Sequence, residues 1–405
     1  MKCQICGSET KQFLDLGEHP PCDFWDESEI DQEIAYPLTV HFCPKCSLVQ
    51  LGEMVKQEAL FTPECGYHHI AALSSSFLKH LDVLASRTVE RFQLTENDLM
   101  IEIGSNDGAL LEAFQKQGVK VLGVDPTDVT GIADAKKLVT ISKFFDKDVA
   151  KEIGREHGKA KVITALNTFA HVSGLDSVVE GIEGLLTADG VFISENHYVL
   201  DLIKELQYDF IYHEHSRYYS LHSLVFLFSK FNMDVFDIER IPTHSGSIRV
   251  FACKKGAYPI SDTIATLLKK ETEFGLRELK TYNRFASIVG THQKNFKGVL
   301  EGIRARGKTI AGLTFPARAV TLLGSCKIGP ETLCYITEMS HLKIGKVSPG
   351  THIPVVDQSV LFGSSAPDYG LLLSWHIRDE LVPRFRGKGF KGKFIIPLPV
   401  PTVIS

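Results

Sequence analysis

The chain has 405 residues, 44% of them hydrophobic and 23% charged, with a formal net charge of -5. That is the profile of a globular protein too long for one core, so two or three domains are expected, and the acidic balance gives no electrostatic drive toward nucleic acid. No apolar run reaches about 18 residues, which argues against a membrane span, and the opening MKCQICGSE has no apolar stretch after a basic one, so a cytoplasmic location is expected.

Residues 1 to about 50 carry Cys3-Gln-Ile-Cys6 and Cys43-Pro-Lys-Cys46 among short β-prone stretches too small to build a core. Two such pairs can form two knuckles whose thiolates complete a tetrahedral zinc site, structural because four cysteines leave no open position. Thiol-redox pairs are the alternative, but these usually sit singly at a helix start in a larger sheet. Between 52 and 97 the chain is polar, then helical from Ala71 to Phe92 by apolar spacing. The entry Cys65-Gly-Tyr67-His-His69 could face a substrate or simply pack the helix start.

Residues 98 to 126 read as strand, tight glycine loop, helix, strand: Leu99–Ile103, Gly104-Ser-Asn106-Asp-Gly108, an amphipathic segment, then Val119–Val124 closing on Asp125. Gly104 and Gly108 allow a sharp turn and close approach to a ligand. Asp125 is placed to meet ribose hydroxyls. The dinucleotide pattern Gly-x-Gly-x-x-Gly is absent, since Asn106 and Ala109 stand at its later positions, while Glu102 precedes the first glycine. Two spaced acids around a loop with few phosphate-facing donors suit a cationic nucleoside without a pyrophosphate, of which S-adenosylmethionine is the obvious candidate. An ordinary strand–helix turn is the alternative.

Further apolar runs at Leu138–Ile141, Val162–Leu166 and Gly190–Ser194 alternate with helical segments 146–156 and 174–187, continuing the sheet. Asn167 to His171 follows one strand, and Glu195, Asn196 and Tyr198 follow the next. All should lie at the carboxyl edge beside the glycine loop. Then comes the densest ionisable cluster, Tyr208-Asp-Phe-Ile-Tyr212-His213-Glu214-His215-Ser-Arg217-Tyr218-Tyr219. It could supply a base, an orienting carboxylate and a phenol donor. Its rivals are a second metal site, with His-x-His on a strand, and a plain polar turn. His244 and Arg249 flank a further strand, Ile248–Cys253, and Arg249 could meet an anion.

Residues 260 to 306 read as a charged helical connector. A second, smaller doubly wound sheet follows: strand Thr309–Leu313, helix 316–325, strand Leu333–Thr337, helix 367–384 and strand Phe394–Pro397. Its first turn is poor in glycine. With Arg318, Thr321 and His352 it suits part of a phosphorylated substrate better than a second dinucleotide.

Taken in order, the double C-x-x-C, E-I-G-S-N-D-G, N-x-F-A-H-V, Y-x-E-H, T-H-x-G-S-x-R, P-G-T-x-I-P and I-P-x-P resemble, over essentially the whole chain, the sugar C-methyltransferases acting on nucleotide-linked 4-keto deoxysugars. The resemblance implies an α/β protein with a small N-terminal zinc-binding module, a central Rossmann-like methyltransferase domain and a C-terminal second Rossmann-like domain. Boundaries are expected at 1–65, 66–256, a helical connector 257–306, and 307–405. It implies S-adenosylmethionine and a structural zinc on Cys3, Cys6, Cys43 and Cys46, with a nucleotide diphosphate-sugar in the cleft, and catalytic groups at Tyr212, Glu214 and His215. His215 is expected to be the base, oriented by Glu214, with Tyr212 near the keto oxygen or sharing the proton; Tyr212 as base is the alternative, and His244 a second imidazole. Cofactor contacts are expected from Glu102, Gly104, Asn106, Gly108, Asp125, Asn167 and His171. Substrate contacts are expected from Tyr67, Glu195, Tyr198, Arg249, Arg318, Thr321 and His352. The family's G-Y-G-A-x-x-K-G-N-T-L-L-N-Y turn stands here as Gly312-Leu-Thr-Phe-Pro-Ala-Arg318 to Ser325, and His376 replaces a usual Asn, so sugar or nucleotide contacts are expected to differ. A monomer or weak dimer is expected, with no nucleic-acid or membrane partner. An O- or N-methyltransferase, or a zinc-containing binding protein without catalysis, are the other readings.

Overall fold

A computed structural model describes residues 1–57, 60–61, 75–127, 131, 133, 136–364 and 366–405. The N-terminal module contributes strands β1 (Lys11–His19), β2 (Tyr36–Phe42) and β3 (Val49–Leu51). Helix α1 (Ser75–Phe92) leads to β4 (Leu99–Ile103), α2 (Ala109–Lys116), β5 (Lys120–Val124), β6 (Thr140–Ile141), α3 (Lys147–Glu156), β7 (Ala160–Leu166), α4 (Leu175–Leu185) and β8 (Leu186–His197). After α5 (Val199–Lys204) come the two-residue strand β9 (Arg217–Tyr218), α6 (Leu221–Ser229), β10 (Met233–Ile241) and β11 (Ser247–Lys254).

β4 to β8 pair in parallel, and β11 and β10 close the edge antiparallel, giving the order β10-β11-β8-β7-β4-β5-β6. The middle strands carry continuous apolar runs because helices cover both faces, as a parallel sheet requires. Within β7 and β8, Val162, Ile163, Ala165, Val191, Phe192 and Ile193 are all buried.

The connector is more than a solvated linker. Its helices α7 (Asp262–Phe274) and α8 (Leu279–Arg304) meet at Gly275. On α8 the buried residues Tyr282, Phe285, Val289, His292, Phe296, Leu300 and Ile303 recur every three or four positions, one stripe of a helix. Tyr282 stacks on Phe42 at 4.4 Å and meets Phe13 at 5.1 Å, so this helix roofs the N-terminal sheet.

The last sheet holds β12 (Ile310–Leu313), β13 (Ile336–Glu338), β14 (Val355–Asp357), β15 (Tyr369–Leu372), β16 (Lys393–Ile396) and β17 (Thr402–Ile404), with α9 (Arg318–Ser325) and α10 (Arg378–Gly387) between. Its order is β14-β13-β12-β15-β16-β17, parallel except for β17. One expectation fails here: the helix expected over 367–384 begins as strand β15. The run Tyr369-Gly-Leu-Leu is buried between β12 and β16, and a short apolar run has the same composition in a helix or a central strand. Only the parallel register with β12, with Ala311 against Gly370 and Leu313 against Leu372, decides it.

Among the described residues no helix is long and apolar enough to cross a membrane.

Candidate active site

Each C-x-x-C pair forms a knuckle closed by the same hydrogen bonds. The Gly7 amide donates to the Cys3 carbonyl and the Ser47 amide to the Cys43 carbonyl, both at 2.9 Å. Gly7 and Ser47 take positive φ of 68° and 63°, which turns the chain back under its thiols. Sulfur–sulfur distances are 3.5 Å for Cys3–Cys46 and 3.4 Å for Cys6–Cys43, and all four ligand atoms lie within 4.8 Å of one another. These are too long for disulfides at about 2.05 Å and close to the edge of a tetrahedron with metal–sulfur bonds of about 2.3 Å. The donor set fits zinc.

The N-terminal sheet is completed from elsewhere. Its order is β1-β2-β3-β9, and β9 is the strand that follows the Tyr212–His215 turn. The Leu51 amide donates to the Ser216 carbonyl at 3.0 Å, extending that pairing into the turn. His213 Nε2 sits 3.0 Å from the His19 carbonyl and 3.2 Å from that of Tyr36, and burial pushes its pKa down to about 4, so it is a neutral donor pinning the module. His213 and His215 lie in a turn and face different neighbours, so the expected His-x-His strand face does not form.

On the other side the same segment grips the C-terminal sheet. Asp209 is fully buried and accepts from Arg318 Nε at 2.7 Å, Arg318 Nη2 at 2.8 Å and Trp375 Nε1 at 2.7 Å. Thr321 donates to the Ile211 carbonyl at 2.6 Å. Arg318 begins α9 just beyond β12, and Trp375 follows β15, so both come from the carboxyl edge of their sheet. A cleft of about 620 Å³ lies between that edge and the central sheet's own carboxyl edge, with Gly246, Arg240, Trp375, His376 and Arg378 in its walls.

Between these anchors Tyr212 and His215 meet. The Tyr212 hydroxyl is 3.0 Å from His215 Nε2, and His215 Nδ1 is 3.2 Å from the Phe210 carbonyl. Nδ1 must carry the proton to bond a carbonyl, so Nε2 is the acceptor of the phenol. Burial pushes the Tyr212 phenol well above its usual range, which keeps it protonated. His215 packs at 4.5 Å from the Phe210 ring and 4.8 Å from that of His171, while Phe210 stacks on His197 at 3.9 Å.

Glu214 does not orient His215 in this arrangement. Its Oε1 accepts from the Cys22 amide at 3.3 Å, its Oε2 is buried without a partner, and burial pushes its pKa up. The Phe210 carbonyl takes the orienting role, which no side-chain pattern could announce.

The glycine loop makes the expected sharp turn. Gly104, Asn106 and Gly108 all have positive φ, and a Cβ on Gly104 would lie 2.3 Å from Thr168 Oγ1. Glu102 is buried with Oε2 unpartnered, and burial with Asp125 and Asp107 nearby pushes its pKa well up. Asp125 also shapes the loop: its carboxylate accepts from the Asn106 amide at 2.8 Å and the Thr127 amide at 2.9 Å. The Asn167 amide donates to the Glu195 carbonyl at 2.9 Å, and His171 Nδ1 bonds the Glu214 carbonyl, so His171 ties the loop after β7 to the Tyr212–His215 turn.

Several residues expected to touch substrate are engaged inside the protein. Arg249 binds Glu195 Oε1 at 2.6 Å and Glu239 Oε2 at 2.7 Å, and Glu195 also meets His80 at 2.8 Å. The Tyr198 hydroxyl donates to the buried Glu271 at 2.8 Å. Arg318 is held by Asp209 and Thr321 by Ile211, so neither faces the cleft as an anion site. His352 pairs with Glu33 at 2.9 Å. His244 lies in the single turn Thr243–Ser245 before β11, its side chain outside the description, and Tyr67 lies outside the described residues. Asp209, Phe210, His197 and His80 were missed, since only their distant partners identify them.

Comparison with known proteins agrees with this layout. Residues 3–61 match a family model described as "Putative zinc binding domain", 77–237 a methyltransferase domain and 242–399 a C-methyltransferase C-terminal domain. The C-methyltransferase NovU of Streptomyces niveus is 34% identical over 414 aligned residues, spanning 100% of this chain and 97% of its own length. Among solved structures, magnesium protoporphyrin IX methyltransferase from Synechocystis PCC 6803 with bound SAM aligns over 44% of this chain and 79% of its own at 12% identity and a TM-score of 0.34. The PH0226 protein of Pyrococcus horikoshii OT3 aligns over 46% and 94% at 13% identity and 0.36. Likeness at that level carries none of the assignment, which rests on the full-length relative and the family models. With a loop shaped for its cofactor and four thiols set for zinc, the chain belongs to the S-adenosylmethionine-dependent C-methyltransferases.

Proposed function

We propose that the methyl acceptor is the carbon beside the ketone of a nucleoside-diphosphate 4-keto-deoxysugar, and that it reacts as an enolate. The Tyr212–His215 pair carries the reading. As the carbon gives its proton to the Tyr212 oxygen, the phenolic proton passes to His215 Nε2, so the tyrosine touches substrate and the imidazole stores the charge. His171, at 4.8 Å from that ring, lies along the same path. The buried Glu214 carboxyl, pushed toward its neutral form, is suited to donate to the enolate oxygen.

Glu102, Gly104, Asn106, Gly108, Asp125 and Asn167 would hold S-adenosylmethionine, which supplies an electrophilic methyl group when bound. Three acids converge there, Glu102, Asp107 and Asp125, and offer the negative field that a cationic ligand needs. Arg318, Thr321, Glu195, Arg249 and Tyr198 act from behind as positioning residues. Tyr67, His244 and His352 are proposed to reach the sugar or nucleotide directly. The proposed division is 1–65, 66–256, 257–306 and 307–405, with β9 lent to the first unit. The ordered motif set shared with sugar C-methyltransferases supports the substrate class.

Deuterium exchange at the carbon beside the ketone, in D2O without methyl donor, tests the enolate. Exchange is expected in the wild type and lost in Tyr212→Phe and His215→Gln. A product methylated on oxygen or nitrogen would overturn the reading.

A further inference from the structure

Arg217, two residues beyond His215, is a buried cation without a carboxylate. It is 3% exposed, its Nη1 donates to the Val172 carbonyl at 2.6 Å, and its Nε has no hydrogen-bond partner. Among the described residues no acid lies within ion-pair distance of it. Taking a guanidinium out of water is costly unless an opposite charge compensates it.

The knuckles supply that charge. Four thiolates around one Zn2+ leave two negative charges in excess. Arg217 pairs with Gln50 across the β9–β3 ladder. The buried Gln50 side chain accepts from the Gln4 amide at 2.9 Å and donates to the Lys2 carbonyl at 3.3 Å, so it reaches the first knuckle itself. The groups that act on Arg217 are the Tyr219 phenol, which is hydrogen-bonded to it, then Cys3 and the more distant, exposed Asp176. Of the neighbouring cations, Lys2 and the N-terminus are paired with Glu9 at 2.9 and 3.3 Å, and Lys230, on the partly exposed rim, is shared between Asp176 at 2.9 Å and the Ile5 carbonyl of the first knuckle, which leaves Arg217 as the buried one. Lys45, on the second knuckle, is exposed and screened by water.

We propose that Arg217 is the counter-cation of the zinc–tetrathiolate centre, so that metal occupancy and the seating of the turn carrying Tyr212 and His215 depend on each other. Arg217 is a positioning residue, acting through the strand that pulls Ser216 and the turn onto β3.

The test uses the full-length, zinc-loaded protein and a chromophoric chelator that competes for the metal. Arg217→Met should weaken zinc binding by about 10- to 100-fold, the usual cost of losing a group that supports metal ligands. Arg217→Lys, which keeps the charge, should restore most of the affinity. Should the Met variant not fold, Arg217→Gln against Arg217→Lys gives the same comparison. As a second readout, chelating zinc from the wild type should raise amide hydrogen exchange across 211–219 while β4 and β7 stay protected. Equal zinc affinity in wild type and Met, or in Gln and Lys, overturns the proposal, as does unchanged exchange in the turn.

Discussion

Replacing Asp209 by Asn should loosen the C-terminal sheet from the segment that carries Tyr212 and His215, and the cost can be worked from the contacts. The carboxylate accepts three hydrogen bonds of 2.7–2.8 Å from Arg318 and Trp375, with both ion-pair partners almost wholly buried. Removing one member of a buried pair leaves the other charge uncompensated, at about 3–5 kcal/mol. The Asn oxygen still accepts one bond, and the Phe210 and Trp375 rings still face the guanidinium at 5.2 and 4.9 Å. The lower end, about 3 kcal/mol, is therefore expected, or a fall in Tm of about 6–12 °C for a unit of some 150–250 residues. Only two tryptophans are present, so in a Trp25→Phe background the fluorescence of Trp375 follows this contact directly through a denaturant titration. Arg318→Met alone should also destabilise, because it strands the carboxylate. The double variant Asp209→Asn with Arg318→Met should recover much of the loss, since neither charge is then buried. A cycle with coupling under about 1 kcal/mol would refute the view that this pair clamps the sheet.

Three further outcomes are expected. Tyr212→Phe and His215→Gln should each lower kcat by about 10²–10⁴ while calorimetry finds S-adenosylmethionine binding unchanged; intact turnover in either removes the dyad. Glu102, pushed up by burial and two neighbouring acids, should lose protons when a cationic ligand binds, so affinity rises with pH. Binding heats in buffers of different ionisation enthalpy should show that release, and Glu102→Gln should abolish it. Asp23 is raised to about 6 by burial and by Glu214 and Glu33. Between about pH 4 and 6 the folded state therefore keeps a proton that the unfolded chain has lost, and stability falls as pH rises through that window. With the group partly solvated the effect is about 1–2 kcal/mol, and a stability–pH curve for Asp23→Asn lacking this fall is the check.

Elements whose signal is local were legible. Strand Leu99–Ile103 has the bounds its apolar run suggests, and the knuckles follow from spacing alone because zinc geometry fixes it. Elements defined by partners were not. β9 is two residues long, with no pattern of its own, and exists because β3 has an open edge. β15 was hidden because a four-residue apolar run carries no period. Arg249, Arg318 and Tyr198 looked like ligand groups because a sequence shows a charge or a phenol but not its counterpart. Glu195, Asp209 and Glu271 answer them from 54, 109 and 73 residues away.

The segment 208–219 shows what such partners do to a dense ionisable cluster. Read alone, its ionisable residues look like one concentrated chemical apparatus. In the fold they separate by direction. Tyr208 reaches His292 and Cys326, Asp209 holds Arg318, and the Ile211 carbonyl takes Thr321, all toward the connector and the C-terminal sheet. His213, Glu214, Ser216 and Arg217 turn toward the zinc module or its supporting loops. Tyr212 and His215 are the pair left to each other, with Phe210 beneath them as ring and carbonyl. Most of the motif's polarity is thus spent on fixing two groups between three bodies. That division gives the zinc module its place in this enzyme: the edge of its sheet is where the turn carrying Tyr212 and His215 is fastened.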